Sequence, residues 1–372
     1  MEFDATGGGK HKPGPAPRSR GRGALDNLPG RFERLVRESF DDGWHGERSE
    51  RGAEDGSQPL TILTREQART VLTRNQSPDV FFDLSVNPYR GCEHGCAYCY
   101  ARPTHSYLGL SPGLDFETRI FAKVNAAQRL REALAAPGYR CEPIVIGTVT
   151  DPYQPLERRQ LLTRRLLEVA AEARLPVALI TKGSMIERDL DLLGPMARSS
   201  LAAVYVTVTT LDPSLARRME PRAAAPWKRL QAVRRLADAG VPVGVMIAPI
   251  IPFLNEPEIE SIAREAAAAG ARSAHYTVLR LPWELREVFE QWLGAQFPER
   301  AARVMARIGD LRGGRANDPR FGTRMRGEGV WAELIRARFD RALRTNGLSA
   351  ERATLDCAAF RAPSVDGQLA LI

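Results

Sequence analysis

Cys92, Cys96 and Cys99 fall within eight residues, in the run Asn87-Pro88-Tyr89-Arg90-Gly91-Cys92-Glu93-His94-Gly95-Cys96-Ala97-Tyr98-Cys99-Tyr100. C-x3-C-x2-C spacing on one loop lets three thiolates wrap a single compact metal centre. Structural zinc takes four ligands, and a [4Fe–4S] cube normally takes four cysteines as well. A cube held by three leaves one iron free to bind a cofactor or substrate chelate. The alternative is a zinc knuckle that recruits His94 or His105 as its fourth ligand. The other two cysteines, Cys141 and Cys357, lie far off in sequence and supply no second cluster. Five cysteines are an odd number, and a chain of 372 residues has core enough not to need disulfides.

The elements around the cysteines say where such a centre would sit. Apolar, β-branched runs occur at Ile144-Val145-Ile146, Val177 to Ile180, Val204 to Val208, Val243 to Ile247 and His275 to Leu279, after a first strand at about Asp83 to Asn87. Amphipathic stretches alternate with them: Ala126 to Ala135, Arg159 to Ala173, Ile186 to Met196, Ala225 to Ala239 and Glu258 to Ala269. The last begins with Asn255 as N-cap and Glu258 three residues on, a capping-box pattern, and stops at Gly270. Six βα units predict an α/β fold, a partial (β/α)6 barrel with a parallel sheet. The cysteines follow the first strand and precede the first helix, at the C-terminal mouth where parallel α/β folds build their sites.

C-x3-C-x-(aromatic)-C after a first strand, with Tyr98 in the aromatic slot, resembles the signature of the radical S-adenosylmethionine (SAM) superfamily. Asn87-Pro-Tyr-Arg-Gly-Cys, Asp151-Pro152-Tyr153-Gln154-Pro155-Leu156-Glu157, Thr181-Lys182, Glu220-Pro221-Arg222 and Val243 to Pro249 further resemble the set related to spore photoproduct lyase. The resemblance covers about residues 60–330. It implies a [4Fe–4S] cluster on Cys92, Cys96 and Cys99, with SAM chelated to the open iron and cleaved reductively to a hydrogen-abstracting 5′-deoxyadenosyl radical. It implies a reductant such as flavodoxin or ferredoxin as partner. Cofactor-binding positions follow at Tyr98, Thr148, Asp151, Thr181, Thr207, Thr209, Ile247 and Pro249, strand-four polar groups serving ribose or carboxylate and the fifth-strand backbone adenine. Lys182, Glu220 and Arg222 are the catalytic candidates, the last two orienting SAM or substrate, or pairing with each other. One departure stands out. Where the lyase has a hydrogen-donating cysteine near the end of the second strand, this chain has Thr148, and a hydroxyl cannot do that work.

Composition frames the rest. Apolar residues make up 43% and charged residues 26%, which excludes wholesale disorder. No apolar run nears the roughly 20 residues of a membrane span, and Met1 to Lys12 has no signal-peptide core. Membrane residence is therefore not expected and the cytoplasm is. Residues 1–57 read as a basic Gly/Pro tail with a short helix around Arg31 to Phe40. The core then spans 58–298, a helical Arg-rich extension 299–345, and a loose tail 346–372. A net charge of +8, and Arg312, Arg315, Arg320, Arg324 and Arg326 around Phe321, suit phosphate contact or a solvated cover over the barrel mouth. A nucleic-acid base leads the substrate classes. A peptide or small-molecule substrate, and a metal-stabilised binding module without catalysis, are the alternatives.

Overall fold

The computed structural model describes residues 21–33 and 59–364. Its centre is a seven-stranded sheet built from β2 (Leu72–Arg74), β3 (Leu84–Val86), β6 (Ile144–Ile146), β7 (Val177–Thr181), β8 (Ala202–Thr207), β9 (Val243–Ile250) and β10 (Ser273–Val278). The order is β10-β9-β8-β7-β6-β3-β2, parallel except for β2, which runs antiparallel to β3. The six expected parallel strands are therefore present as an open, partial barrel whose edges β2 and β10 do not pair with each other. Three short strands, β1 (Ile62–Glu66), β4 (Tyr89–Arg90) and β5 (Arg119–Lys123), form a second sheet beside it. Their short, charge-interrupted runs carry little periodicity, which is why pattern alone does not find them.

Side-chain size divides the two faces of the large sheet. Bulky Ile144, Ile146, Leu179, Val204, Val206, Val245 and Ile247 point outward into one core with the helices. Small or modest Val145, Ala178 and Ala203 point inward beside Tyr205. Because strand side chains alternate, this bulky-out, small-in pattern hollows the barrel. Chain after β10 then closes the gap between the sheet edges. Arg312, 1% exposed, donates to the carbonyls of Val278, Leu279, Thr323 and Arg324, tying the Arg/Gly loop to the end of β10. Arg324 reaches across to Asp79 and Ser77.

Several local expectations shift. The helix expected over Arg159 to Ala173 is two pieces, Glu157–Gln160 and Leu162–Glu172, broken at Leu161 with φ 54°. The buried Glu157 carboxylate accepts from the free N–H groups of Leu162 (3.0 Å) and Thr163 (3.1 Å), doing the N-cap's work from outside the helix. Asn255 and Glu258 do not form a capping box. Asn255 accepts from Ile251 N–H (2.6 Å) and donates to the carbonyls of Thr209 (2.7 Å) and Pro249 (2.9 Å). Glu258 accepts from Thr210 and Leu211 instead.

The expected tails also change. Residues 21–33 are a packed strap with Ala24 and Leu28 buried, and most of the helix placed at Arg31 to Phe40 lies outside the described residues. After Thr345, Ala353 and Leu355 pack against the inner-face cluster, and Arg361 N–H donates to Ala173. A chain segment that buries apolar groups and pairs its backbone gains what a solvated tail cannot. No helix among the described residues is long and apolar enough to cross a membrane.

Candidate functional site

The cysteine loop leaves β4 and is set by groups buried beneath it. Gly95 has φ +66°, and a Cβ there would lie 2.5 Å from the Glu117 carboxylate. On the far side a Cβ on Gly23 of the strap would strike the Gly95 carbonyl, so two glycine backbones meet where no side chain fits. Glu117 is fully buried and accepts from Gly23 N–H (3.0 Å), Ala24 N–H (2.8 Å) and the Arg102 guanidinium. Arg102, equally buried, also donates to the carbonyls of Cys96 (2.9 Å), Pro112 (3.2 Å) and Gly113 (2.8 Å). The pair is invisible to local pattern, because fifteen residues separate its members and neither stands in a recognisable motif.

A second brace comes from the segment after β6. Gln154 donates to Gly91 O (3.3 Å) and accepts from Glu93 N–H (2.9 Å), and Thr150 donates to Gly91 O (2.7 Å). His94 is buried, with Nδ1 3.3 Å from an Asp151 oxygen, so it is neither a surface residue nor aimed at solvent. Asp151 also accepts from Thr181 Oγ1 (2.6 Å) and Lys182 N–H (2.7 Å). Burial alone would raise its carboxyl; His94 and these donors bring it down to about 2.

Cys92, Cys96 and Cys99 line one wall of a cavity of about 660 Å³ inside the barrel, within the usual range for a ligand site. Tyr98, Thr148, Asp151, Thr181, Lys182, Thr207 and Pro249 line it too. Thr148 is held by Asn87, which donates to its hydroxyl (2.9 Å) and accepts from its N–H (3.0 Å).

Four candidates fall elsewhere. Ile247 faces outward into the helix-packed core, while its neighbours Met246 and Ala248 reach the cavity; alternation puts it one residue out of register with the site. Thr209 gives its hydroxyl to Glu220 (2.6 Å) and does not reach the cavity wall. Glu220 and Arg222 do not pair with each other and do not line the cavity. Glu220 is buried against Arg229 and accepts from Tyr98, whereas Arg222 lies 3.2 Å from Glu93. Burial would raise the Glu220 carboxyl, but the charges of Arg229 and Lys182 bring it to about 2. Glu220 thus fixes the ring of Tyr98 between two of the cysteines.

The thiol set suits an iron–sulfur centre. Burial pushes the Cys96 thiol up to about 12 and that of Cys92 upward as well, so their thiolates need a cation beside them. Three thiols opening onto one cavity are the donor set of a cube with one iron left open. Among the described residues, no three His, Cys, Asp or Glu side chains, the three cysteines included, are disposed to close on one metal ion. His105 is buried with Nε2 3.0 Å from Arg119 O. Of the loop arginines, Arg312, Arg320 and Arg324 are spent on internal contacts.

Residues 86–266 match the Radical SAM superfamily model. The chain is 38% identical over 224 residues to the uncharacterised protein Rv2578c of Mycobacterium tuberculosis, covering 60% of this chain and 66% of that one, just under two thirds of the relative's length. It is 25% identical over 195 residues to a radical SAM Nalpha-GlyT isomerase of Pseudomonas phage M6, covering 50% of this chain and 37% of that one. Among solved structures, a spore photoproduct lyase variant with bound AdoMet and dinucleoside spore photoproduct superposes with TM-score 0.56 at 17% identity, over 77% of this chain and 80% of that one, a likeness of fold. Three cysteines at the mouth of a partial barrel and the family match agree, and residues 86–266 form a radical SAM domain.

Proposed function

We propose that the protein is a radical SAM enzyme that acts on a substrate held in the barrel cavity, with a nucleic-acid base as the substrate class. The observation that carries this reading is the opening of Cys92, Cys96 and Cys99 onto that cavity. These three thiols would hold a [4Fe–4S] cluster. With SAM bound beside it, such a cluster would supply one-electron reductive cleavage of the sulfonium, the chemistry that initiates hydrogen abstraction. A reductant such as flavodoxin or ferredoxin would deliver the electron.

The chain's own groups divide the remaining work. The Arg102–Glu117 and Gln154 braces fix the thiol positions. Lys182 is buried beside Cys96 and Glu220; burial would lower its pKa, but the Cys96 sulfur and the Glu220 carboxylate raise it, so it stays cationic and can meet a carboxylate. Tyr98, locked by Glu220 and Thr209, and the apolar barrel wall exclude water from the reacting atoms. The base is supported by flat faces on the cavity wall at Tyr100 and Phe81 and by the dinucleoside in the lyase of like fold. Thr148 donates no hydrogen atom, so the thiol-dependent quench of the lyase has no counterpart at that position.

The test is anaerobic. The chain is reconstituted with iron and sulfide, reduced with dithionite in the presence of SAM, and assayed for 5′-deoxyadenosine beside a Cys96→Ala control. About four iron and four sulfide per chain, with product lost in the control, is expected. Zinc without sulfide would replace this reading by a metal-stabilised binding module.

A further inference from the structure

The cavity has a side that the cofactor chemistry leaves unused. His275, Met246 and Thr207 lie in one register row across the inner face of β10, β9 and β8, and all three line the cavity. His275 is 8% exposed, yet its Nε2 is buried without a hydrogen-bond partner. Beside it stands Arg352, delivered by the chain that bridges to β10 at Ser273–Ser349. Its Nε is likewise buried and unpartnered, and its guanidinium makes no ion pair among the described residues. A buried polar atom left unpaired is costly, so two of them on one cavity wall mark where a ligand supplies hydrogen-bond partners.

The arrangement is held in advance. Arg352 lies 4.2 Å over the ring of Phe81, which packs on Tyr205 at 5.5 Å, and Tyr205 on His275 at 5.7 Å. A guanidinium stacked flat keeps its fork of donors in one plane and free at the edge, the geometry that takes two oxygens of one anion. Arg280 and Arg326, also on the wall, make no ion pair among the described residues. Two carboxylates reach this side: Asp79 is taken by Arg324 and Gly322 N–H, and Asp340 lines the wall with the three arginines. Three arginines, Arg280, Arg326 and Arg352, against one carboxylate unpaired among the described residues leave this wall net positive, and a net positive wall rich in donors favours an oxyanion.

We infer that His275 and Arg352, with Arg280 and Arg326 around them, bind a phosphate group of the substrate, so that the enzyme takes a nucleotide rather than a free base or nucleoside. This rests on the proposed radical SAM reading and narrows its substrate class. Inorganic phosphate and a nucleotide's phosphate share the same oxygens, and the experiment separates them.

Calorimetric titration of the reconstituted full chain in the presence of SAM compares inorganic phosphate, deoxyadenosine and deoxyadenosine monophosphate. The monophosphate is expected to bind at least tenfold more tightly than the nucleoside, with inorganic phosphate competing weakly and all phosphate binding falling as salt rises. Arg352→Gln is expected to remove that tenfold margin. Arg352→Lys, which keeps charge but not the fork, retains part of it, and His275→Phe reduces it several-fold. Arg315→Gln, an exposed arginine off the cavity, leaves it unchanged. Equal affinity for nucleoside and nucleotide overturns the inference, and so does equal weakening by Arg315→Gln and Arg352→Gln, the mark of surface adsorption. Because the readout is binding, these results stand apart from whether 5′-deoxyadenosine forms. A chain that cleaves SAM but shows no phosphate margin loses this inference and keeps the reading beneath it.

Discussion

Arg102→Met probes whether the cysteine loop is held from below. Arg102 and Glu117 are both wholly buried, so removing the cation strands a carboxylate in the interior. Breaking such a pair costs about 3–5 kcal/mol. Three carbonyls, of Cys96, Pro112 and Gly113, lose their donor at the same time. At roughly 2 °C per kcal/mol for a chain of this size, the unfolding midpoint of the metal-free protein should fall by about 6–10 °C. Iron bound after anaerobic reconstitution, measured well below that midpoint, should fall too, because the Cys96 carbonyl anchors the loop that presents the thiols. The double variant Arg102→Met/Glu117→Leu separates charge from architecture. It removes the stranded carboxylate, but it also removes the acceptor of Gly23 and Ala24 N–H. Each orphaned donor costs about 1–3 kcal/mol, so the double variant should regain no more than half of the lost stability and little of the iron. The reasoning is refuted by a single variant that melts within 2 °C of the parent with full iron, or by a double variant restored to the parent in both.

Three more outcomes are expected. Gly95→Ala should lose iron loading together with about 1–2 kcal/mol of stability, since a left-handed residue gains a Cβ facing Glu117; full loading after reconstitution would refute the close fit. Ile247→Val should cost about 1 kcal/mol in urea unfolding without changing SAM affinity, and a changed affinity would put its side chain in the cavity. Glu220 is depressed to about 2 in the fold from an ordinary value near 4.5, so the unfolded chain binds the extra proton between these values. Its stabilisation is present above about pH 4.5 and is lost as pH falls toward 2. Glu220→Gln should therefore be less stable than the parent at pH 6 and flatten the acid limb of stability against pH, measured by urea unfolding; parallel acid limbs would refute the assignment.

What the sequence made legible follows from range. The thiol spacing, the β-branched runs and the amphipathic periods are signals over a few residues, and the parallel strands and the cysteine loop stand where those signals put them. Glu220 and Arg222 mislead because neighbours in sequence pointed at each other, while the fold gave Glu220 to Arg229 and Arg222 to Glu93. Asn255 and Glu258 carry a helix-cap spelling but serve loops after β8 and β9. The Ile247 side chain turns out to face the helices, because a buried parallel strand reads as uniformly apolar and does not show which residues point inward. A signal was nonetheless present in the small inward series Val145, Ala178 and Ala203. The strap and the Arg102–Glu117 pair join residues about 15 to 95 apart, beyond any local pattern.

The unpaired edges of the sheet have a consequence for how this protein divides its labour along the chain. The barrel is shut by side chains, Arg324 on Asp79 and Arg352 over Phe81, and not by a backbone ladder. All four, with His275 and Arg280, lie outside the matched domain at residues 86–266. The three cysteines lie inside that matched stretch, whereas the seam and the two partnerless groups beside it lie outside. Substitutions at the seam can change what the chamber accepts without touching a ladder hydrogen bond or a thiol. A lineage built this way can reshape its cavity while the cysteine loop stays as it was.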